Sequence, residues 1–237
     1  MIEVFNFNAG DLAPSREAVL EQQGVPPDAE LRPDVEEICV KALCLLNESI
    51  AAKGVAAEIS QDEFAFVFEG EGNNEASTPV GEIFSQSEHL SLFAVTLGPE
   101  TSFEIARLFK ENDFALGYML DSAASVAADQ AAALLESRVA TSLRDRGWND
   151  DDGAALRYSP GYCGWHISGQ KKLFEYLNPE RIGLTLRDSY LMDPLKSVSG
   201  VVLAGPKEMH EFEPSFPSCS ICETISCRDR VKALYAK

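Results

Sequence analysis

The sequence predicts an α+β fold: a mixed, mostly antiparallel sheet flanked by helices. Three observations carry this reading. Apolar residues recur at helical spacing over 33–53 and 115–146, and short apolar runs of strand length lie near 64–68, 90–98 and 198–204. The two kinds of element alternate irregularly, without the steady strand–helix–strand rhythm of a parallel sheet. With 237 residues, 45% hydrophobic and 24% charged, the composition is ordinary for a globular chain long enough to bury a full core.

The elements follow in order. Pro33 suits a first helical turn, and Val35, Ile38, Cys39, Ala42, Leu45, Leu46 and Ile50 form a helical stripe that Gly54 is placed to stop. Cys39 and Cys44 on this helix read as core or near-core thiols. Phe64, Phe66 and Phe68 alternate with Ala65 and Val67 as a strand would, before the turn-rich Gly70-Glu71-Gly72-Asn73-Asn74. Leu90 to Gly98 is a second strand, and Pro99 opens a helix to about Lys110. The alanine-rich stretch from 115 to 146 is a helix with Leu120, Ala124, Ala127, Ala131, Leu135 and Leu143 on its apolar side, ended by Gly147. Ser168 to Leu177 is a further helix. Residues 182–192 and 198–204 read as strands, the second stopped by Gly205-Pro206.

Charge and targeting narrow the function classes. Thirty-eight acidic residues against 20 basic ones give a formal charge of -18. Nucleic-acid binding needs a basic footprint, and none is visible. Such acidity selects partners with basic surfaces. No run of eighteen apolar residues points to a membrane span, and Met1-Ile2-Glu3-Val4 lacks the features of a signal peptide. The expectation is a cytoplasmic chain whose six cysteines are thiols or metal ligands rather than a disulfide framework.

The most informative stretch is Arg157-Tyr158-Ser159-Pro160-Gly161-Tyr162, leading on to Ser197-Val198-Ser199-Gly200. Pro160 presets one turn dihedral, and Gly161 accepts the positive φ that a type II turn requires next. Arg157 carries a planar fork suited to a carboxylate, and Tyr162 a ring with a hydroxyl tip. Two readings are open: a surface loop whose arginine makes an ion pair, or a site for a small zwitterion bearing a flat ring. Asp121, Ser125 and Asp129 share one helix face. They are either a solvated polar face or, given the small alanines at 127, 128, 131 and 132, one that something else approaches closely.

In order and spacing, residues 115–204 resemble the activation (reactivation) domain of cobalamin-dependent methionine synthase. That family carries an Arg-x-x-Pro-Gly-Tyr loop, a helix, and then a stretch like Gly183-Leu184, Ser189-Tyr190, Met192 and Pro194 leading into Ser-Val-Ser-Gly. The resemblance implies an S-adenosylmethionine site in which Asp129, Arg157, Ser159, Gly161 and Tyr162 match binding positions. It departs from the family in two places. Ser125 stands where an acidic residue is expected, and Val201-Val202 follow Gly200 where an aromatic is expected. The implied chemistry is reductive methylation of a corrinoid by S-adenosylmethionine, with an electron donor such as a flavodoxin or ferredoxin. No Asp-x-His-x-x-Gly cobalamin motif occurs in these residues, so the resemblance points to a free-standing activator that acts on a corrinoid protein or methyltransferase partner.

On this reading residues 1–100 form an N-terminal α/β lobe of the same fold, 101–206 the S-adenosylmethionine-binding core, and 207–237 a cysteine-containing tail that the methionine synthase domain does not share. In the tail, Cys219-x-x-Cys222-x-x-x-x-Cys227 is spaced for zinc or an iron–sulfur cluster, one ligand short of a usual site. Cys163 is the expected fourth ligand, with His166 and His210 as alternatives. The other reading of the tail is plain reactive thiols. The functional alternative to an activator is therefore a non-catalytic metal- or thiol-binding docking module that retains the fold.

Overall fold

Five strands make one sheet in which every neighbouring pair is antiparallel, in the order β1 (Ile2–Asn6), β2 (Lys53–Ile59), β3 (His89–Thr96), β5 (Ser197–Pro206), β4 (Gly153–Tyr158). The structure, a computed structural model, describes residues 2–26, 28–148, 153–211 and 226–235. Helices cover both faces of the sheet. On the upper face lie α1 (Arg16–Gln22), α2 (Pro33–Ser49), α5 (Pro99–Lys110) and the long α6 (Phe114–Asp145). On the lower face lie α3 (Gln61–Glu69), α4 (Pro79–Phe84) and α7 (Gly169–Leu177). The mostly antiparallel α+β architecture expected from the sequence is the one found.

Because both faces are covered, the central strands are apolar at successive positions rather than at alternate ones. Phe93 and Val95 point to the upper core, while Leu92 and Ala94 point to the lower. The two middle strands, β3 and β5, run in register from His89 opposite Ala204 to Thr96 opposite Ser197. One sheet thus takes β1–β3 from the first hundred residues and β4 and β5 from later ones. The buried alanines of α6, at 123, 124, 127, 128, 131 and 132, let this helix lie close to β3 and β5.

Several local expectations are corrected. The Phe64–Phe68 run is helix, not strand. Ser60 accepts the Glu63 N–H while the Glu63 carboxylate accepts the Ser60 N–H, a reciprocal cap that starts α3. Within it Phe64 and Val67 face inward at helical spacing, and Phe66 is exposed. Helix α2 stops at Ser49, and Gly54 instead sits within β2, where a Cβ would press on Leu135 and Phe7. Cys39 is buried as expected, whereas Cys44 is exposed. Residues 182–192 form no long strand. A 3-10 turn at Pro179–Ile182 leads into a two-residue ladder between Thr185–Leu186 and Met192–Asp193. Gly205-Pro206 does not stop β5, since both still pair with β4.

Beyond the sheet, helix α8 (Ser226–Leu234) returns to the β4 side of the molecule, with Val231 and Leu234 packed against the lower core. Among the described residues, no helix is long and apolar enough to cross a membrane.

Candidate ligand-binding site

The site lies where the sheet loses a strand. The β4 ladder ends with Tyr158 opposite Val201. Continued in the same register, Pro160 would face Ser199, and proline has no N–H with which to extend the ladder. The carbonyls of Lys196 and Ala204 point to the β3 side, accepting from Leu97 and Glu88. By the alternation of a regular strand, the main-chain N–H and C=O of Ser199 face the gap that β4 leaves. The chain then folds away in a tight turn. Tyr162 N–H donates to Ser159 O at 3.3 Å, with Gly161 at φ +93 in the third position, as a type II turn demands. Gly161 N–H donates to Trp165 O at 2.7 Å.

The loop is anchored from below. Trp165 is 1% exposed and meets Phe64 edge-on at 5.7 Å between ring centroids. Gly200 is required where the turn crosses β5, because a Cβ there would stand 2.1 Å from Tyr158 O. Sequence chemistry thus fixes both the end of β4 and the close crossing that shapes the gap.

A cavity of about 320 Å³ fills this gap, within the size range of small-molecule sites. Asp129 enters it from α6, Arg157 from the end of β4, and Ser159 and Tyr162 from the turn. Cys163, Ile167, Gln170, Met192, Ser199 and Arg230 complete much of the rest. Four of the five ligand-binding candidates implied by the resemblance, Asp129 on α6 and Arg157, Ser159 and Tyr162 in a later loop, therefore face one space. Gly161 shapes the turn without lining the cavity. Tyr162 is half-exposed at the mouth, and Gln170 is buried in the wall.

The electrostatics are those of a paired cation beside an accessible anion. Arg157 Nη1 donates to Glu136 Oε2 at 2.9 Å, and the Arg157 N–H donates to the same oxygen at 3.1 Å. Only 15% and 16% of these two side chains are exposed, so the pair is largely desolvated. A guanidinium carries five donors, which leaves others to face the cavity. Burial pushes the Asp129 carboxyl above the usual carboxylate range, against the opposing pull of Arg157 and then Arg230. Asp129 nevertheless stays open to solvent through the cavity, which tempers that shift.

Two site residues escaped the sequence reading. Glu136 lies seven residues beyond Asp129 on the same face of α6, the one signal that could have found it. Arg230 comes from α8, and only the folded chain brings it here. Asp121 and Ser125 do not reach the cavity with Asp129. They hold the buried Lys196, whose Nζ lies 2.8 Å from Asp121 Oδ1 and 2.9 Å from Ser125 Oγ.

The expected metal centre falls mostly outside the described residues. Cys219 and Cys222 lie outside the described residues, and of Cys227 in α8 only the backbone is described. Cys163 lines the cavity. His210 is unsuited as a ligand, being fully buried with its Nδ1 2.8 Å from Tyr158 Oη and its Nε2 facing Ala154 O. His166 Nδ1 lies 2.9 Å from Ser168 Oγ. Among the described residues, no group of three or more His, Cys, Asp or Glu side chains is arranged to hold a metal ion.

Comparison with known proteins matches this architecture. The chain superposes on a solved structure, "Crystal Structure of the MetH Reactivation Domain bound to AdoHcy", with a TM-score of 0.62. That likeness covers 98% of this chain and 86% of the other at 15% identity, and it establishes the shared fold. No curated protein sequence matches the chain. Residues 81–213, more than half of the chain and including β3, α6, the Pro-Gly-Tyr turn and β5, match the family described as "Vitamin B12 dependent methionine synthase, activation domain". With the cavity at the end of β4 built largely from the same segment, the chain belongs to the family of the activation domain of vitamin B12-dependent methionine synthase.

Proposed function

We propose that this chain binds S-adenosylmethionine in the cavity at the end of β4 and supports reductive methylation of a corrinoid held by a partner methyltransferase. The observation that carries the reading is the convergence of Asp129, Arg157, Ser159 and Tyr162 on one cavity of ligand size. The ligand chemistry fits what these residues offer. Remaining Arg157 donors suit the amino-acid carboxylate, and Asp129 suits the ammonium. The outward main chain of Ser199 offers a donor and an acceptor to an adenine edge, and the half-exposed Tyr162 ring covers the mouth. Family membership and the AdoHcy bound by the solved relative support the same ligand class.

When bound, S-adenosylmethionine supplies an electrophilic methyl group, for which the nucleophile is the reduced cobalt of the partner's corrinoid. The share of this chain is orientation and access: fixing the amino-acid end beside α6 while leaving the sulfonium methyl open to the partner's corrinoid. The electron needed comes from a separate donor of the flavodoxin or ferredoxin kind. A charge of -18 favours docking on basic partner surfaces. A zinc or iron–sulfur centre on Cys219, Cys222, Cys227 and Cys163 belongs to the same proposal. Anaerobic preparation followed by metal and sulfide analysis tests it, and finding neither zinc nor iron near stoichiometry rejects it.

Calorimetry with S-adenosylmethionine tests the central reading. Arg157→Ala is expected to weaken binding by about 2–5 kcal/mol if the carboxylate contact is desolvated. Unchanged affinity in a folded variant would remove Arg157 from the site, and no binding by the wild-type chain would reject the ligand assignment.

A further inference from the structure

Gln170 stands in the first turn of α7 and lines the cavity from the lower side of the sheet, with only 5% of its surface exposed. We infer that its carboxamide is a specificity-determining group of the site, which reads the edge of the ligand's purine ring. Its oxygen accepts from the 6-amino group and its nitrogen donates to a neighbouring ring nitrogen. This deepens the S-adenosylmethionine reading and rests on it.

A carboxamide offers two donor hydrogens and an oxygen with two lone pairs. Here Oε1 accepts from Ser199 Oγ at 3.5 Å, the outer limit of a hydrogen bond, and Nε2 has no partner among the described residues. A polar group buried this deeply is normally satisfied, because an unpaired one forfeits its hydration without return. The cavity against which Gln170 lies is the space left for its partner. A glutamine amide and adenine are complementary: one oxygen meets the exocyclic N–H while one N–H meets the adjacent ring nitrogen.

Position sorts the two ends of the ligand. Asp129 and Arg157 carry charge on the α6 side, whereas Gln170 stands on the α7 side with the uncharged Ile167 and Met192. A ligand with a charged amino-acid end and a neutral flat base spans this arrangement. The amide also adjoins Ser199, whose main-chain groups face the gap, and a 6-amino group with two hydrogens can serve both. The start of α7 has a fixed seat. At Gly169, beside Gln170, a Cβ would stand 2.3 Å from Nε1 of the buried Trp165, so glycine lets the helix press directly on the indole.

The test pairs Gln170→Met with a change in the base, read by calorimetry on the full chain. One probe is S-adenosylhomocysteine, and the other is the same thioether carrying unsubstituted purine, which lacks the 6-amino group. The wild-type chain should favour the adenine probe about tenfold or more, and Gln170→Met should cut that preference at least about fivefold while leaving the purine probe within about twofold. Gln170→Glu, which keeps an acceptor and loses the donor, should retain a preference for the adenine probe at lower affinity. An unchanged preference in a folded Gln170→Met variant, even if both affinities fall together, overturns the inference and leaves the ligand reading intact. A wild-type chain that binds the two probes equally also overturns it, without recourse to a variant. If the wild-type chain binds neither probe, the ligand reading fails and this inference with it.

Discussion

Gly200 and Glu136 show how single residues hold the site. At Gly200 a methyl group would meet the backbone oxygen of Tyr158 at 2.1 Å, and backbone cannot move aside as a side-chain tip can. Gly200→Ala is expected to cost about 3 kcal/mol or more. In a chain of this size that lowers the thermal midpoint by roughly 6–12 °C, as calorimetry would read. An unchanged midpoint would mean that the turn and β5 do not cross so closely. Glu136 accepts both the side chain and the main-chain N–H of Arg157, so its loss strands a largely buried cation. Glu136→Ala should destabilise the fold by about 1–3 kcal/mol in urea titration and also weaken ligand binding, since Arg157 would lose its fixed pose. At this scale Asp129, Arg157, Ser159 and Tyr162 were singled out through the resemblance of their segment to the family's motif; residue type and local spacing alone left both a surface reading and a site reading open. Glu136 was not, because nothing local tells which turn of a 32-residue helix will lie over β4.

At the scale of elements, the 3-10 turn after β5 is bound to β4 through a buried pair. Tyr158 and His210 stack at 14° between ring planes, with Tyr158 Oη 2.8 Å from His210 Nδ1. Ala154 O can only accept, so Nε2 carries the proton and Nδ1 accepts from the tyrosine. Burial pushes His210 down to about 4 from an ordinary 6.5. The folded state therefore resists protonation that the unfolded chain accepts. The stability from neutral His210 is fully present above pH 6.5 and is lost as the pH falls toward about 4. The expected loss across that window is about 3 kcal/mol. Urea unfolding at several pH values should show it, and His210→Gln should flatten that part of the profile. A second element-scale prediction concerns α3. Removing its reciprocal cap with Ser60→Ala should cost about 1 kcal/mol, read by thermal unfolding, whereas a Phe64–Phe68 strand would not respond to loss of a helix cap. That segment was misread because three phenylalanines at alternate positions mimic a strand, while the helix signal lay in the Ser-x-x-Glu just before them.

At the scale of the whole molecule, β3 couples the first hundred residues to the rest by pairing with β2 on one side and β5 on the other. Separating the two parts would leave a long central strand unpaired, so one cooperative unfolding transition is expected. Far-UV circular dichroism and fluorescence of Trp148 and Trp165 should give coincident urea curves, and two resolved transitions would show independent lobes. Ligand occupancy should raise that single transition. At one hundred times its Kd, S-adenosylmethionine should stabilise the chain by about 2.7 kcal/mol.

The sequence by itself determined the α+β class, the α6 helix with its small-residue face, and the Pro-Gly-Tyr turn with Arg157 beside it. These are local consequences of periodicity, dihedral preference and side-chain chemistry. Tertiary structure alone decided that the gap left where the β4 ladder gives way to Pro160 opens beside Ser199 and faces α6. It also set Glu136 and Arg230 against Arg157 and turned Asp121 and Ser125 to Lys196 instead of the cavity. Those outcomes depend on strand register and on how helices seat against the sheet. Both are set by burial summed over many distant residues, which no short stretch of sequence carries.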